Sequence, residues 1–382
     1  MSRLKVTKFM KKNKVHLLKP RLPDAEMLLP FLRQIDQNRW YTNFGPLNQK
    51  LTKELERHFT DAFVATTSSG TSALEVAISS LNLKRGAKIL VPALTFPATA
   101  TAVSSLGYQP IISDIDPDSW QLTPKIACDA LKHQAFDAVI PVATFGLPVN
   151  QVAWDEFVAE TDIPVIVDAA GAFGNQNIGC KTITVFSTHA TKSFSTGEGG
   201  LIVSNNRAHN LWCKQSSNFG IDAKTKNVDQ SRGCNAKQSE YHAAVGLASL
   251  SLWEQQKAFR LKLLSKYLDQ INELKLPVNT QPNISQHVLS TFVITFGNNV
   301  LNKDVQEYLA NKNIETRRWY CPILPQHSGF QHLKCASDLK HAKQVANSLL
   351  GLPFHLEMTQ QDVDRVCNTL SEFLIVNHDI AI

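Results

Sequence analysis

This sequence of 382 residues lacks the marks of several special protein classes. No stretch reaches the roughly 18 uninterrupted apolar residues of a membrane-spanning helix, and the best candidate, residues 89–103, contains Pro92 and Pro97. The seven cysteines are widely spaced and include no CxxC pair, so neither a disulfide framework nor a zinc knuckle is indicated. The twelve histidines form no HExxH motif, and we therefore expect no catalytic metal.

The sequence also lacks a strong charge imbalance. It contains 39 Lys and Arg residues and 33 Asp and Glu residues, which gives a net charge of +6. Part of this excess lies in the first 14 residues, whose basic side chains are Arg3, Lys5, Lys8, Lys11, Lys12 and Lys14. A solvated or edge-pairing arm is favoured over a nucleic-acid or membrane patch. No apolar segment of the secretory type follows the arm. We expect a cytoplasmic protein without a nucleic-acid or membrane partner.

What the sequence does contain is a series of short apolar, β-branched runs between residues 87 and 205. The runs are Lys88–Val91, Pro110–Ser113, Ala138–Ala143, Pro164–Val167, Thr182–Phe186 and Leu201–Ser204. Helix-like segments lie between several of them, at Ser72–Leu83, Thr123–His133 and Val152–Glu160. This alternation predicts an α/β fold with a mostly parallel central sheet and helices on both faces.

The pattern changes after Arg232. A long helix is predicted first, then one strand and two further helices, at Ser239–Leu274, Val288–Phe296, Lys303–Lys312 and Thr359–Leu374. We predict a large domain over residues 1–254, which includes the N-terminal arm, and a smaller C-terminal α/β domain over residues 255–382. The long helix would connect them.

Ligands of such sheets bind beyond the carboxyl ends of the strands, so loops that follow strands are the first place to look for a site. One such loop, residues 66–72, contains Ser69, Gly70 and Thr71 and opens a helix-like run. Small residues, hydroxyls and the N–H groups of a helix N-terminus can bind a phosphate there. Taken alone, the segment favours an ordinary serine-rich helix cap over a phosphate site.

Two further loops place charged side chains directly after apolar strands. Asp168 ends the run at residues 164–167, where a carboxylate is costly to bury unless it meets a cation or hydrogen-bond donors. It is either a helix cap or the partner of a protonated ring nitrogen. Lys192 lies among hydroxyls and small residues ahead of a glycine turn, a setting that favours a Schiff-base nucleophile over a solvated surface charge.

In the fourth loop, Phe96 follows a strand directly, where it can stack on a planar ring or pack into the core. Together the four loops offer a phosphate cradle, a carboxylate for a ring nitrogen, an amine for an aldehyde and an aromatic lid. Pyridoxal phosphate (PLP) has the four matching features, and the combination is far more specific than any one part.

The motifs also resemble a known family. They are, in order, SSGTSALE, VPALTFPATATA, SDIDPDSW, PVIVDAA, FSTHATKSFSTGEGGLIV, GCNAKQSEYHAAVGLASL and GLPFHLEMTQQDVDRV. This series resembles the DegT/DnrJ/StrS-type sugar aminotransferases, which are PLP enzymes of the aspartate-aminotransferase fold (fold type I). The likeness extends from Trp40 to the final helix.

The resemblance implies a function and roles for two residues. Lys192 would be the internal-aldimine lysine and Asp168 the partner of the pyridine nitrogen. The reaction would move an amino group from an amino acid, by resemblance L-glutamate, to a nucleotide-linked keto-deoxysugar in ping-pong fashion, for cell-surface polysaccharide or other amino-sugar biosynthesis.

The resemblance also implies the rest of the cofactor site. Gly70, Thr71 and Ser187 would bind the phosphate, and Phe96 would stack on the ring. Asn235 matches the family asparagine that reaches the phosphate of the neighbouring subunit, so a homodimer is implied. Apart from the resemblance, two tracts offer cations and aromatics for a nucleotide sugar, Arg39-Trp40-Tyr41 and Arg317-Arg318-Trp319-Tyr320-Cys321-Pro322. Structural aromatics and solvated arginines are the favoured interpretation of both tracts.

The sequence departs from the family in two places. Gly171 stands where the family commonly has Gln or His near the phenolic oxygen of the cofactor, and Lys237 stands where an arginine is frequent. Three other functions stay open: a PLP-dependent sugar dehydratase, a catalytically silent cofactor or sugar binder, and a nucleotide-binding protein without PLP. The dehydratase branch replaces the lysine with histidine, which disfavours it, and the last leaves Lys192 and Asp168 without a role.

Overall fold

A computed structural model describes residues 14–60, 62–297 and 300–378 of the chain. The basic N-terminal arm, apart from Lys14, lies outside these residues. In the described part, no helix is both long and apolar enough to cross a membrane. The same residues contain no group of three or more His, Cys, Asp or Glu side chains placed to hold a metal ion.

Helices and strands alternate through the first two thirds of the chain. The helices are α1 (Ala25–Asn38), α2 (Pro46–His58), α3 (Gly70–Ser80), α4 (Ala98–Ser105), α5 (Pro124–Leu131), α6 (Gln151–Thr161), α7 (Arg207–Ser216), α8 (Glu240–Glu273), α9 (Asn302–Asn311), α10 (Lys340–Ser348) and α11 (Gln360–His378). The strands are β1 (Phe63–Thr67), β2 (Lys88–Pro92), β3 (Gln109–Ser113), β4 (Ala138–Val139), β5 (Ile166–Asp168), β6 (Ile183–Ser187), β7 (Gly200–Ser204), β8 (Val278–Asn279), β9 (Phe292–Phe296), β10 (Lys334–Cys335) and β11 (Leu349–Leu352).

The large sheet has two halves, with strand orders β1-β7-β6-β5 and β4-β2-β3-β10. Parallel bridges from Val139 to Val165 and from Val142 to Asp168 join the halves. All pairs are parallel except those of β7, which runs antiparallel to β1 and to β6. Both faces are covered, which explains why strands such as β6 are buried along their whole length and read as continuous apolar runs. The predicted fold class is confirmed, with β7 as the exception to parallel pairing.

Several strands differ from the prediction. β1, β8, β10 and β11 were not predicted, although the sequence of β1, FVATT, is rich in β-branched residues. The strand predicted over Val288–Phe296 begins only at Phe292, as β9. The strand predicted over residues 138–143 ends at Val139 as β4. Pro141 lies two residues further on and has no N–H to donate, so regular pairing stops and only a single bridge forms at Val142.

Helix α8 spans two hydrophobic cores. Ser239 caps it, because its hydroxyl accepts a hydrogen bond from the N–H of His242 at 3.3 Å. Its first half contributes Ala244 to the core beneath the large sheet, whereas its second half contributes Tyr267 to a separate core. That second core is built around the antiparallel sheet β11-β9-β8 and helix α11.

Some chain segments cross between these cores. Val15 packs in the core of the small sheet, whereas β10 pairs with β3 of the large sheet. Helix α10 likewise places Ala342 and Val345 in a core cluster of the large sheet. The division into residues 1–254 and 255–382 therefore stays a prediction, with the added detail that segments near both ends of the chain pack across it.

Candidate active site

The turn from β1 to α3 forms one wall of the site. Ser69 is the N-cap of α3, and its hydroxyl accepts a hydrogen bond from the N–H of Ser72 at 3.0 Å. The N–H groups of Gly70 and Thr71, in the first turn, have no acceptor within the helix. A Cβ on Gly70 would lie 2.7 Å from the Cβ of Ser187. Only glycine lets the helix come so close to the end of β6, and this approach brings helix N–H groups and the Ser187 hydroxyl together.

Asp168 lies at the end of β5 with only 4% of its surface exposed. Its Oδ2 accepts a hydrogen bond from the Thr99 hydroxyl at 2.8 Å, and its Oδ1 accepts one from the Ala170 N–H at 3.2 Å. Burial raises the pKa of this carboxyl, and these two hydrogen bonds and the charge of Lys192 oppose the rise. A protonated ring nitrogen beside Asp168 would supply the compensation that burial demands.

Lys192 lies in the loop after β6, close enough to Asp168 for each charge to affect the other pKa. Burial lowers the pKa of the Lys192 amine, and the Asp168 carboxylate raises it back in part. The loop is closed by a hydrogen bond of 2.6 Å between the hydroxyls of Thr188 and Thr196. Gly199 packs against both hydroxyls, since its Cβ would lie 2.4 Å from Thr188 Oγ1.

Aromatic side chains form the open side of the site. Phe96 is 57% exposed, and its ring lies edge-on to Tyr320 with the centroids 6.2 Å apart. Tyr320 stacks on Phe145, with the ring centroids 5.2 Å apart and an angle of 11° between the ring planes. Burial raises the pKa of the Tyr320 phenol, and the Asp168 charge raises it further. The ring of Phe96 is thus available for stacking and is not core.

Gly171 faces the short turn that carries Phe145. A Cβ on Gly171 would lie 3.5 Å from the backbone nitrogen of Gly146 and 3.9 Å from the carbonyl carbon of Phe145. These are ordinary van der Waals contacts, so a small side chain fits but the backbone of that turn limits a longer one.

Asn235 lies on the surface of this chain rather than in the pocket formed by the other residues. Its side-chain oxygen accepts a hydrogen bond from Lys237 Nζ at 2.7 Å, and Lys237 lies over the ring of Phe219. One residue further on, the Ala236 carbonyl accepts from the Ser68 N–H at 2.8 Å, next to the α3 cradle. The contact of Asn235 with a second subunit stays a prediction.

The two tracts considered for the nucleotide sugar lie in different places. Tyr320 reaches Phe96, and beside it the Arg317 guanidinium lies 4.3 Å from the Trp319 ring centroid. Tyr41 instead stacks on Tyr241 of α8 at 6.4 Å. Only the later tract therefore contacts the aromatic wall of the site within this chain.

Two residues of the site were missed in the sequence. The Thr99 hydroxyl donates a hydrogen bond to Asp168 and also shares one of 2.8 Å with the hydroxyl of Thr95, four residues earlier in the loop before α4. The i, i+4 spacing of the two threonines next to Phe96 was a usable signal. Phe145, which supports Tyr320, gave none, because its place in the site depends on the turn before Gly146.

Comparison with known proteins identifies the family of this chain. The sequence model of the DegT/DnrJ/EryC1/StrS aminotransferase family matches residues 24–371. The chain belongs to this family. Membership confirms the family and the aminotransferase class that the motifs indicated.

Members of the family with known names are similar over nearly the whole chain. The dTDP-4-amino-4,6-dideoxy-D-glucose transaminase of Shigella dysenteriae is 29% identical over 367 residues, which cover 94% of this chain and 98% of the relative. The GDP-perosamine synthase of Escherichia coli O157:H7 is 25% identical over a match that covers 90% of this chain and 94% of the relative.

A solved structure from Bacillus cereus, described as a PLP-dependent aminotransferase, superposes with a TM-score of 0.88. It is 30% identical, and the match covers 94% of this chain and all of the other. This chain therefore has the fold of the fold-type-I PLP-dependent aminotransferases.

Proposed function

We propose that this protein is a PLP-dependent aminotransferase that moves an amino group from L-glutamate to a keto-deoxysugar carried on a nucleotide, in cell-surface polysaccharide or other amino-sugar biosynthesis. One observation carries the proposal: Lys192 and Asp168 interact electrostatically beside the cradle formed by Gly70 and Ser187. The names of the relatives from Shigella dysenteriae and Escherichia coli support a nucleotide-sugar substrate. Glutamate as donor rests on the family resemblance.

The residues present fit PLP. The first-turn N–H groups of α3 at Gly70 and Thr71 and the hydroxyl of Ser187 would hold the phosphate, with Ser69 fixing the helix N-terminus. Asp168 is a buried carboxylate, and burial raises its pKa, so a cationic ring nitrogen beside it would be favourable. The exposed ring of Phe96 offers a flat apolar face. A phosphate, a ring nitrogen and a flat π system therefore each meet a suitable partner.

Bound PLP would supply a ring that withdraws electrons from the carbon that gains or loses the amino group. Asp168, held by Thr99, would keep the ring nitrogen protonated because a buried carboxylate favours a nearby cation. Lys192 would first hold the cofactor through Nζ and then, once released by the donor, carry a proton. Its amine takes the proton from the donor α-carbon and later delivers one to the sugar carbon.

The lowered pKa of Lys192 suits this role. An ordinary lysine is almost wholly protonated at neutral pH and is a poor base, whereas burial increases the fraction of neutral amine. Both half-reactions would use the same Nζ, so the donor product leaves before the sugar binds and the kinetics are ping-pong.

We further propose a homodimer in which Asn235 of each subunit reaches the phosphate of the other, and a cytoplasmic location. Asn235 is exposed in the single chain, as a residue that serves a second subunit would be. All seven cysteines are free, including the buried Cys213 and Cys367, which is typical of proteins from reducing compartments.

The cofactor proposal is tested by the visible absorbance of the purified protein after incubation with PLP. The wild type should turn yellow, and Lys192→Ala should not. Lys181→Ala is the matched control, because Lys181 is exposed at the start of the same region and should leave the colour unchanged. Equal colour in the Lys192 variant and the wild type would exclude the assigned role.

The substrate proposal is tested with a panel of dTDP-, UDP- and GDP-linked keto sugars and L-glutamate. Formation of 2-oxoglutarate with one sugar nucleotide is the expected result. A yellow protein that forms no 2-oxoglutarate with any of them would support the silent binder instead.

A further inference from the structure

The hydroxyl of Tyr320 is an unused hydrogen-bond donor in the wall of the candidate site. It forms no hydrogen bond with any residue that the structure describes. Its ring nevertheless has a defined place, because it stacks on Phe145 with the centroids 5.2 Å apart and lies edge-on to Phe96 at 6.2 Å. The ring also packs against the core cluster of the large sheet. Aromatic packing therefore positions a donor that no described protein group accepts from.

The surroundings of the phenol keep it protonated. Burial raises the pKa of Tyr320, and the charge of Asp168 raises it further, whereas the charge of Arg317 lowers it. The effect of Asp168 also indicates that the phenol lies near the end of β5. A protonated phenol can donate at neutral pH, and a negatively charged acceptor gives the strongest hydrogen bond.

The order of the strands decides which side of a bound cofactor Tyr320 can reach. β5, which ends in Asp168, pairs with β6 on one side and joins β4 through parallel bridges on the other. The phosphate cradle at the N-terminus of α3 lies on the β6 side. Phe145 follows β4 in the chain, and Tyr320 stacks on it. Tyr320 and the cradle therefore lie on opposite sides of Asp168.

The substituents of PLP have a matching arrangement around the ring. Of the two ring edges between the nitrogen and the aldehyde carbon, one carries the phosphate arm and the other carries the phenolic oxygen. With the nitrogen at Asp168, the aldehyde at Lys192 and the phosphate in the cradle, the phenolic oxygen would face the β4 side. Gly171 faces the turn of Phe145 on this side and has no side chain that could donate. The residues assigned so far thus leave the phenolic oxygen without a partner.

We propose that the hydroxyl of Tyr320 donates a hydrogen bond to the phenolic oxygen of bound PLP. This inference rests on the proposed function, because it takes the cofactor to be held by Lys192 and Asp168. The phenolic oxygen carries negative charge, so the hydrogen bond belongs to the stronger, charge-assisted class. The same negative charge helps to hold a proton on the nitrogen that joins the cofactor to Lys192, and a donor at the oxygen weakens that hold. Tyr320 would therefore tune the cofactor as well as position it.

The first test is a pH titration of the visible absorbance of the PLP-loaded protein. Tyr320→Phe keeps the stacked ring and removes only a hydroxyl that has no described protein partner, so the variant should fold. Its visible band should titrate about one pH unit higher than that of the wild type, because the proton on the linking nitrogen is held more tightly. Identical titrations of the two proteins overturn the inference.

Tyr308→Phe is the matched control. Tyr308 lies on α9, and its hydroxyl donates to Glu372 of α11 at 3.3 Å, next to the small sheet. This variant loses the same atom outside the candidate site, so its titration should equal that of the wild type. An equal shift in both variants contradicts the assignment to Tyr320.

A second test uses pyridoxamine phosphate, which binds the apoprotein without a covalent bond, and its analogue with hydrogen in place of the phenolic hydroxyl. Both are measured by calorimetry. Tyr320→Phe should weaken the binding of pyridoxamine phosphate roughly 10- to 100-fold and change the binding of the analogue by less than about 2-fold. An equal loss for both ligands shows that Tyr320 does not act on this oxygen and overturns the inference.

These results are distinct from a failure of the proposed function. A wild type that binds neither PLP nor pyridoxamine phosphate contradicts the proposed function. A yellow wild type whose titration is unchanged in Tyr320→Phe overturns the inference alone. If Tyr320→Phe changes only the KM for the sugar nucleotide, the phenol serves the substrate, and its contact with the cofactor is refuted.

Discussion

The close approach of α3 to β6 leads to a specific prediction for Gly70→Ala. The new Cβ would lie 2.7 Å from Ser187 Cβ, 3.0 Å from Ser187 Oγ and 3.2 Å from Ser187 Cα. Ordinary contact begins at 3.4 Å, so the two elements must separate by about 3.4 − 2.7 = 0.7 Å. Relief by a side-chain rotation is excluded, because Cβ and Cα of Ser187 belong to the end of a buried strand.

The expected effect is a loss of PLP affinity. A shift of 0.7 Å takes the Ser187 hydroxyl out of good hydrogen-bond range of a phosphate held by the first turn of α3. A hydrogen bond to a charged group contributes about 1.5–3 kcal/mol, which corresponds to about 10- to 150-fold in Kd. The measurement is a titration of apoprotein with PLP, followed by the visible absorbance.

Gly329→Ala is the control, since a Cβ there would have nothing within 4 Å. Its Kd for PLP should equal that of the wild type. If Gly70→Ala acts through Ser187, then combining it with Ser187→Ala should weaken binding less than the sum of the two single effects. A folded Gly70→Ala protein with wild-type PLP affinity would refute the assignment of this approach as the phosphate cradle.

Three further predictions concern Asp168 and its partners. Asp168→Asn should retain PLP while turnover falls by orders of magnitude, because the ring nitrogen loses its anionic partner; near-wild-type turnover would overturn that role. The same variant should lower the pKa of Lys192, because the Asp168 charge raises that pKa in the wild type. Amine-selective labelling of Lys192 in the apoprotein should therefore begin at lower pH in the variant than in the wild type. Labelling that begins at higher pH would contradict this effect. Thr99→Val removes a hydrogen bond that lowers the Asp168 pKa, so the acid limb of the pH–rate profile should move to higher pH. Thr99→Ser keeps a hydroxyl and should return the acid limb to its wild-type position. Identical profiles of the wild type and Thr99→Val would show that Thr99 has no such effect.

Much of the fold could be predicted from the sequence, because buried strands appear in it as continuous apolar, β-branched runs. The apolar runs that became β2, β3, β6 and β7 match the structure within about two residues at each end. β4 ended early because of Pro141, which is a local effect. The antiparallel direction of β7 depends on how distant segments pair, and no periodicity within one strand encodes it.

The same distinction holds for the site. Asp168 stood out because a charge directly after a buried strand is costly without a partner, and Lys192 stood out because hydroxyls and small residues surround it ahead of a glycine turn. The structure places the two charges close enough to affect each other's pKa. Thr99 lies 69 residues before the carboxylate it holds, and only the folded sheet joins them.

The most direct test of the account is to locate the covalent bond between protein and cofactor. Borohydride makes a bond between a lysine and pyridoxal permanent, and peptide mass spectrometry of the treated, PLP-loaded protein then identifies the modified residue. We expect one pyridoxyl group per chain, on Lys192. Modification at any other lysine, or none at all in a yellow protein, would contradict the central claim.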